Sequence, residues 1–278
     1  MVSFLTSLNE EVIYPQYNPL LVTGRTSCSG QRTNCINIQQ LPREGNIRDL
    51  FIPRAGKIFV DIDYDAIELS TFSYTQEKLL GSSKMGDIIN SGKDIHTATA
   101  AIMYNKNAGK CTKKDMGEVT KLDRQTAKLA NFGLLANMHE DTFKNNAKAQ
   151  GVDLSIEEAR SIKDKWLAAY PDIEEFFRLP FDHKDGGRFW SEEDKKWEDT
   201  YEHYTLTGRK RGGVRYTEWL NHHFQGLASD GLKLALFNLV RAGYVVVAEV
   251  HDSISLEVNI RDAEKELYNI AKVMVPVS

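Results

Sequence analysis

The sequence predicts an α+β fold in which both ends of the chain build one antiparallel-sheet platform around a helical middle. Three observations carry this expectation. Near one end, KIFVDID (57–63) alternates, with Ile58, Val60 and Ile62 on one side and Phe59, Asp61 and Asp63 on the other, the period of a half-buried strand. Near the other end, YVVVAEV and SISLEV flank His251-Asp252, the pattern of a β-hairpin. Between them, apolar residues recur at helical spacing.

Taken in order, residues 1–56 are rich in turn formers, and TGRTSCSGQRTN (23–34) reads as a loop. After the first strand, YDAIELSTFSYTQEKLL loses the alternation and reads as helix, as does DIHTATAAIMY (94–104). A long helix is expected from Leu122 to about Lys148, interrupted near NFG, and another over 156–178, broken at Tyr170-Pro171. The stretch 181–203 is polar with interspersed aromatics and reads as a connecting excursion with poor helical definition. A strong apolar helix is expected over 216–242. Val245 to Val250 and the alternating Ile254, Leu256 and Val258 form the hairpin, and an amphipathic helix over 261–273 closes the chain.

Composition excludes several classes. Of 278 residues, 41% are hydrophobic and 27% charged, which argues against a disordered chain. The three cysteines, Cys28, Cys35 and Cys111, include no CxxC pair, so a reducing compartment suits them better than a disulfide framework. The longest apolar run, around 245–248, is far short of the ~20 residues that span a membrane. MVSFLTSLNEE has no basic leader, so a cytosolic location, without a membrane partner, is the default. Phosphate-loop, dinucleotide and zinc-protease patterns (GK[ST], GxG, HExxH) are missing from the sequence.

The net charge of −4 speaks weakly against nucleic acid. Two local clusters speak the other way. Residues 106–128 hold seven Lys/Arg against three acids, and Arg209, Lys210, Arg211 and Arg215 have no acid among them. Such clusters either grip phosphates or simply solvate a surface.

Three constellations bear on chemistry. Asp63 stands where a strand stops and Asp252 in a hairpin turn. On one sheet these carboxylates can lie side by side, as hard oxygen ligands for Mg²⁺. Asp61 competes with Asp63 from the same strand face, and most acids of any chain only solvate its surface. Arg124, Lys128 and Phe132 lie at i, i+4 and i+8, so they share one helical face able to clamp a triphosphate and offer a ring to a base or sugar. The alternative is a basic helix with Phe132 in the core. Asn221 and Gln225 flank small residues around Gly226, which would let another backbone approach closely; a buried, satisfied amide is the alternative.

In order and spacing these segments resemble family A DNA polymerases. The resemblance rests on Thr23-Gly24-Arg25 with NIQQLP (37–42); FIPRAG followed by DYDAIEL (63–69); DIHTATA; R-x3-K-x3-F-G (124–133); YP (170–171); LTGRKR (206–211); FQGLASDGLKLAL (224–236); and EVHDSISLEV (249–258). TGRTSC, NIQQLPR and FQGLA have the wording of phage-type members. The resemblance implies a right-hand polymerase fold, with palm at 1–75 and 205–278 and helical fingers at 76–204.

It also implies roles. Asp63 and Asp252 match the two metal-binding catalytic aspartates, with two Mg²⁺ ions as cofactor. Arg124, Lys128 and His96 match residues that hold the triphosphate of a dNTP. Phe132 matches the residue beside its sugar, and Glu68 the gate that crowds a 2′-hydroxyl. Arg25 and Gln225 match minor-groove contacts near the primer end, where every base pair offers an acceptor. Asn221 and His251 match further primer–template contacts. The implied partners are primer–template DNA and dNTPs.

The sequence departs from the family at Ala66, Ser70, Ser253 and Ala136-Asn137, where glutamine, arginine, glutamate and Tyr-Gly are usual. Only 22 residues precede Thr23, and the chain stops at VMVPVS, so palm and fingers are expected without thumb or exonuclease. That predicts a minimal enzyme, a gene fragment, or one half of a split enzyme whose thumb or exonuclease is a separate chain. Weak, salt-sensitive DNA binding follows for the chain alone.

Overall fold

In the computed structural model the described residues are 12–30, 36–42, 47–180, 183–192 and 195–275. The N-terminal segment, Cys35, part of the 23–34 loop and the last three residues of VMVPVS lie outside them. The chain divides into two compact units: Met1–Ile67 with Ala228–Ser278, and Glu68–Leu227.

The first unit is built on a three-stranded antiparallel sheet. Its strands are β3 (Lys57–Asp63), β7 (Val245–Val250) and β8 (Ser253–Asn259), in the order β3-β8-β7. The β3–β8 register pairs Val60 with Leu256, Ile62 with Ile254 and Asp63 with Ser253. Alternation therefore sends Val60, Ile254, Leu256 and Val258 to one face. There they pack with Leu232, Ala235 and Leu239 from the last helix before the hairpin and with Ile270 and Met274 from α9 (Ala263–Met274). Each such side chain contributes roughly 1.5–3 kcal/mol by leaving water. Asp61 and Asp63 consequently face away from that core and are exposed.

The loop expectation for 23–34 needs one correction. β1 (Gln16–Asn18) and β2 (Ser27–Ser29) pair there as a small antiparallel ribbon. Alternation over three residues is too short to register as a strand signal.

The second unit is mostly helical. α1 (Ile67–Leu80) follows β3, and a short α2 (Lys84–Asn90) precedes α3 (Ile95–Tyr104). The long helix expected from residue 122 breaks as predicted near NFG, into α4 (Lys121–Gly133), a 3₁₀ turn (Leu134–Ala136) and α5 (Glu140–Ala149). A capping box between Thr120 and Asp123 starts α4. At its end, a Cβ on Gly133 would stand 3.1 Å from the Phe143 ring, so a larger residue would make that ring give by a few tenths of an ångström. α6 (Ile156–Ala169) and α7 (Pro171–Phe177) meet at the expected Tyr170-Pro171 break.

The polar stretch after residue 181 is not an irregular excursion. β4 (His183–Ser191), β5 (Lys196–Tyr204) and β6 (Lys210–Val214) form a second antiparallel sheet. Its strands are stabilised by cross-strand pairs rather than by an apolar stripe: Trp190 opposes Trp197 with ring centroids 5.8 Å apart, and Lys210 pairs with Glu202 at 2.7 Å. Polar pairing leaves little hydrophobic period to read. α8 (Tyr216–Arg241) follows.

Within this unit, β5 and α8 bury three imidazoles together. His203 Nε2 lies 2.9 Å from His223 Nδ1, and the His203 and His222 ring centroids are 5.1 Å apart. Burial, with repulsion from the neighbouring imidazoles, pushes His203 and His223 well below the usual histidine range. A histidine depressed in the folded state binds its proton first in the unfolded chain. The stability it supports is therefore complete above the unfolded value and lost as pH falls below it. The stability of the wild type should fall by about 2 kcal/mol for each of the two residues as pH drops from about 6.5 to 5. A His203→Gln, His223→Gln double variant should flatten that slope; an equal slope in both proteins would refute the assignment.

Candidate functional site

Two groupings of the predicted residues stand out, one in each unit. The first lies where β3 ends beside the β7–β8 hairpin. Val250 pairs directly with Ser253, so His251 and Asp252 alone make the turn, and His251 takes a left-handed conformation (φ 59°). The Tyr64 amide donates to the Asp252 carbonyl at 3.3 Å, tying the end of β3 to that turn. Asp63 is exposed and Asp252 half-buried. Burial pushes the Asp252 carboxyl up, the Arg25 guanidinium opposes it, the charge of Asp63 adds to the rise, and His251 opposes it again. Four of the predicted residues, Asp63, Asp252, Arg25 and His251, are thus electrostatic neighbours. The competitor Asp61 is engaged differently: it accepts a hydrogen bond from the Ser255 hydroxyl, its cross-strand partner.

The donor chemistry fits Mg²⁺. Two hard carboxylates are electrostatic neighbours, and the charge of Asp63 makes ionisation of Asp252 costlier, which a cation relieves. Among the described residues no third His, Cys, Asp or Glu joins them in a metal-binding group. The remaining ligands would come from substrate phosphates and water, the usual Mg²⁺ arrangement.

One buried acid near this turn escaped sequence reasoning. Glu249 accepts from the Thr26 hydroxyl, while the Tyr17 hydroxyl donates to the Glu249 carbonyl at 2.8 Å and accepts from its amide at 2.7 Å. These bonds fasten the β1–β2 ribbon to β7 and so place Arg25. Nothing local marks Glu249, because its partners are more than 200 residues away.

The second grouping is on α4. Lys128 and Phe132 are exposed and Arg124 half-buried, while Ala127, Ala130 and Asn131 face inward. Phe132 is 40% exposed, so the core reading of that ring is excluded. Arg124 is already held: its Nε and Nη2 donate to the two carboxylate oxygens of Asp94 at 2.8 and 2.9 Å. Asp94 also caps α3, accepting from the Thr97 amide at 2.9 Å. Burial alone would raise this carboxyl, but the bonds from Arg124 and Thr97 and the Arg124 charge hold it well below the usual range. Asp94 was missed as a site-shaping residue, although its N-cap position before an apolar helix is a readable signal. His96, on α3, is 6% exposed and its ring centroid is 5.5 Å from that of Phe132.

The other predicted residues are more ordinary. Glu68 lies in the first turn of α1 and is half-buried. Asn221 donates to Gln225 Oε1 at 3.0 Å along α8. The sequence expectation that Gly226 lets another backbone approach closely needs correction, because side chains take that space. A Cβ there would meet the His222 ring at 2.8 Å and the Thr205 methyl at 2.9 Å, so the glycine makes room for side chains. The basic cluster at 209–215 also draws acids from elsewhere: Lys210 pairs with Glu202, and Arg211 and Arg215 with Glu218.

One departure from the family pattern has a physical account. Asn137 takes the left-handed conformation (φ 53°, ψ 42°), which asparagine tolerates better than most residues. It can therefore stand where the family usually has glycine.

Comparison with known proteins bears on the family and the fold. The family model described as DNA polymerase family A matches residues 2–277. DNA polymerase I of Aquifex aeolicus is 30% identical over 263 residues, covering 91% of this chain and 40% of that protein. DNA polymerase I of Caldicellulosiruptor bescii is 24% identical over 274 residues, covering 92% and 29%. The chain thus spans well under half the length of these relatives. The polymerase domain of Pol1 from M. smegmatis, solved in complex with DNA primer-template and dNTP, superposes with a TM-score of 0.74 at 22% identity, over 98% of this chain and 46% of that one. With the family model spanning nearly every residue, the chain belongs to DNA polymerase family A.

Proposed function

We propose that the chain carries out template-directed DNA synthesis: a primer 3′-oxygen bonds to the α-phosphorus of a dNTP, the α–β phosphoanhydride bond breaks, and pyrophosphate leaves. The observation that carries this reading is the electrostatic proximity of Asp63, at the end of β3, to Asp252 in the turn that follows β7. The sheet-based unit is read as palm and the helical unit as fingers.

Asp63 and Asp252 would hold two Mg²⁺ ions. When bound, such ions neutralise phosphate charge and ease ionisation of the attacking hydroxyl. The chain's own groups do the positioning. Lys128 and Arg124 hold the triphosphate, with His96 as a further contact. Phe132 supports the sugar. Arg25 and Gln225 donate to minor-groove acceptors that every correct base pair presents in one place, with Asn221 and His251 nearby on the primer–template.

Glu68 crowds the 2′ position of the sugar in this reading. Glu68→Ala should therefore raise ribonucleotide incorporation relative to deoxynucleotide by about tenfold or more, a selectivity built from one steric contact. Competition between rNTP and dNTP on one template measures it, and an unchanged ratio would remove Glu68 from that role.

Primer extension with Mg²⁺ and four dNTPs at low salt tests the whole proposal. Template-dependent extension supports it. Binding of primed DNA without extension would instead make the chain one part of a split enzyme, whose activity returns on adding a thumb-bearing chain. Neither binding nor extension overturns both.

A further inference from the structure

We propose that Asn131 is a positioning residue that holds His96 as its Nε2–H tautomer, so that the ring presents a hydrogen-bond donor to the nucleotide's phosphates. The phosphate half of this proposal rests on the function proposed above; the tautomer half rests on geometry alone.

The geometry begins at Trp166. An indole N–H can only donate, and Trp166 Nε1 lies 2.8 Å from Asn131 Oδ1. That bond sets which way the amide faces. The Asn131 amide nitrogen then lies 3.1 Å from His96 Nδ1 and 3.0 Å from Thr99 Oγ1. Its two protons have two acceptors. Thr99 in turn donates to the Ile95 carbonyl at 2.7 Å and takes the Tyr170 hydroxyl proton across 2.6 Å. Every proton in the set then has an acceptor, the Thr99 hydroxyl having both the Ile95 carbonyl and, at a longer 3.3 Å, Asn131 Oδ1.

The reversed amide fails on the same count. It would set an N–H₂ group against the Trp166 N–H and leave that indole donor unsatisfied. Asn131, Thr99, Trp166 and Tyr170 are all 0% exposed, so water cannot repair the loss of that donor's partner. With the amide fixed, His96 Nδ1 must accept. A neutral imidazole carries one proton, so that proton sits on Nε2.

The chemical consequence concerns anions. In the opposite tautomer Nε2 carries a lone pair, which repels phosphate oxygens. In the enforced one it is a donor, and bonds from N–H to a charged oxygen are the stronger kind. A buried network spanning α3, α4 and α6 thereby sets the polarity of a residue beside the Lys128–Phe132 face.

Histidine-selective ¹⁵N labelling tests this, because two-bond proton–nitrogen correlations distinguish the two tautomers. Wild-type His96 should show the Nε2–H pattern. Asn131→Asp keeps the shape but leaves only acceptor oxygens when ionised, so the proton should move to Nδ1. With primed DNA, the apparent Kd for dNTP should then rise about tenfold, the value of one hydrogen bond to a charged group, while kcat changes less than about threefold. An Nδ1–H pattern in the wild type would overturn the proposal. So would a tautomer shift in Asn131→Asp that leaves dNTP affinity unchanged. If that variant does not fold, Trp166→Phe serves: losing the lock should give a mixture of tautomers, and a single unchanged Nε2–H pattern would refute the network. Wild-type protein that binds no dNTP would defeat the phosphate half together with the proposed function, while the spectrum still decides the tautomer.

Discussion

Asp63→Asn and Asp252→Asn should each lower primer extension by about a thousandfold or more, equivalent to roughly 4 kcal/mol of lost transition-state stabilisation. Both proteins should remain folded. Asp63 is exposed, and its side chain supports none of the core around Val60 and Leu256. Asp252 is half-buried with its carboxyl raised, foremost by that burial. A carboxyl raised on folding opposes folding at neutral pH, because its charged form is worse off in the native state. Asparagine removes that charge, so Asp252→Asn should unfold at the same denaturant concentration as wild type or a higher one. Extension assays and denaturant melts on the same preparations separate chemistry from folding. Asp61→Asn is the internal control, since Asp61 is engaged by Ser255 on the same strand. Loss of activity there but not in Asp63→Asn would reassign the site.

Arg124→Ala should fail in two ways at once. The guanidinium is bidentate on Asp94, whose side chain is 6% exposed. Removing one partner of such a pair strands the other, at about 3–5 kcal/mol. The sign with pH follows from the Asp94 carboxyl being lowered on folding. The stability it lends is present above the unfolded carboxylate value of about 3.9 and disappears as pH falls through the lower folded one. At neutral pH wild type therefore has the full contribution, and Arg124→Ala loses it. Adding Asp94→Asn to Arg124→Ala should recover much of the stability by removing the stranded charge, while the Thr97 cap survives in weaker form. It should not recover dNTP affinity, because the cation proposed to hold the triphosphate is still missing. A double variant that regains both would mean Arg124 serves only the fold.

Much of this was readable without coordinates because the signals are short-range. The KIFVDID alternation, the two-residue hairpin turn at His251-Asp252 and the break at Tyr170-Pro171 each depend on neighbours a few positions away, and each appears where expected. The β4–β6 sheet was illegible for the converse reason. Its strands are joined by charged and aromatic cross-strand pairs, such as Lys210 with Glu202, which leave no apolar period in the chain. Gly226 was misread because the His222 ring, four residues earlier on the helix, and Thr205, brought close only by folding, fill the space beside it.

By itself, then, the sequence determined the α+β class, the family, and the residue types that carry charge and metal-binding chemistry, since these follow from local periodicity and ordered motifs. The tertiary structure showed that Asp63 is a charged neighbour of Asp252 while Asp61 is engaged by Ser255, and it alone decided which carboxylate restrains Arg124 and which way Asn131 presents its amide to His96. Those outcomes depend on groups from 30 to nearly 200 positions apart in the chain. Charge repulsion, ion pairing and donor–acceptor matching act over ångströms of space, so they are settled only when the strands and helices meet.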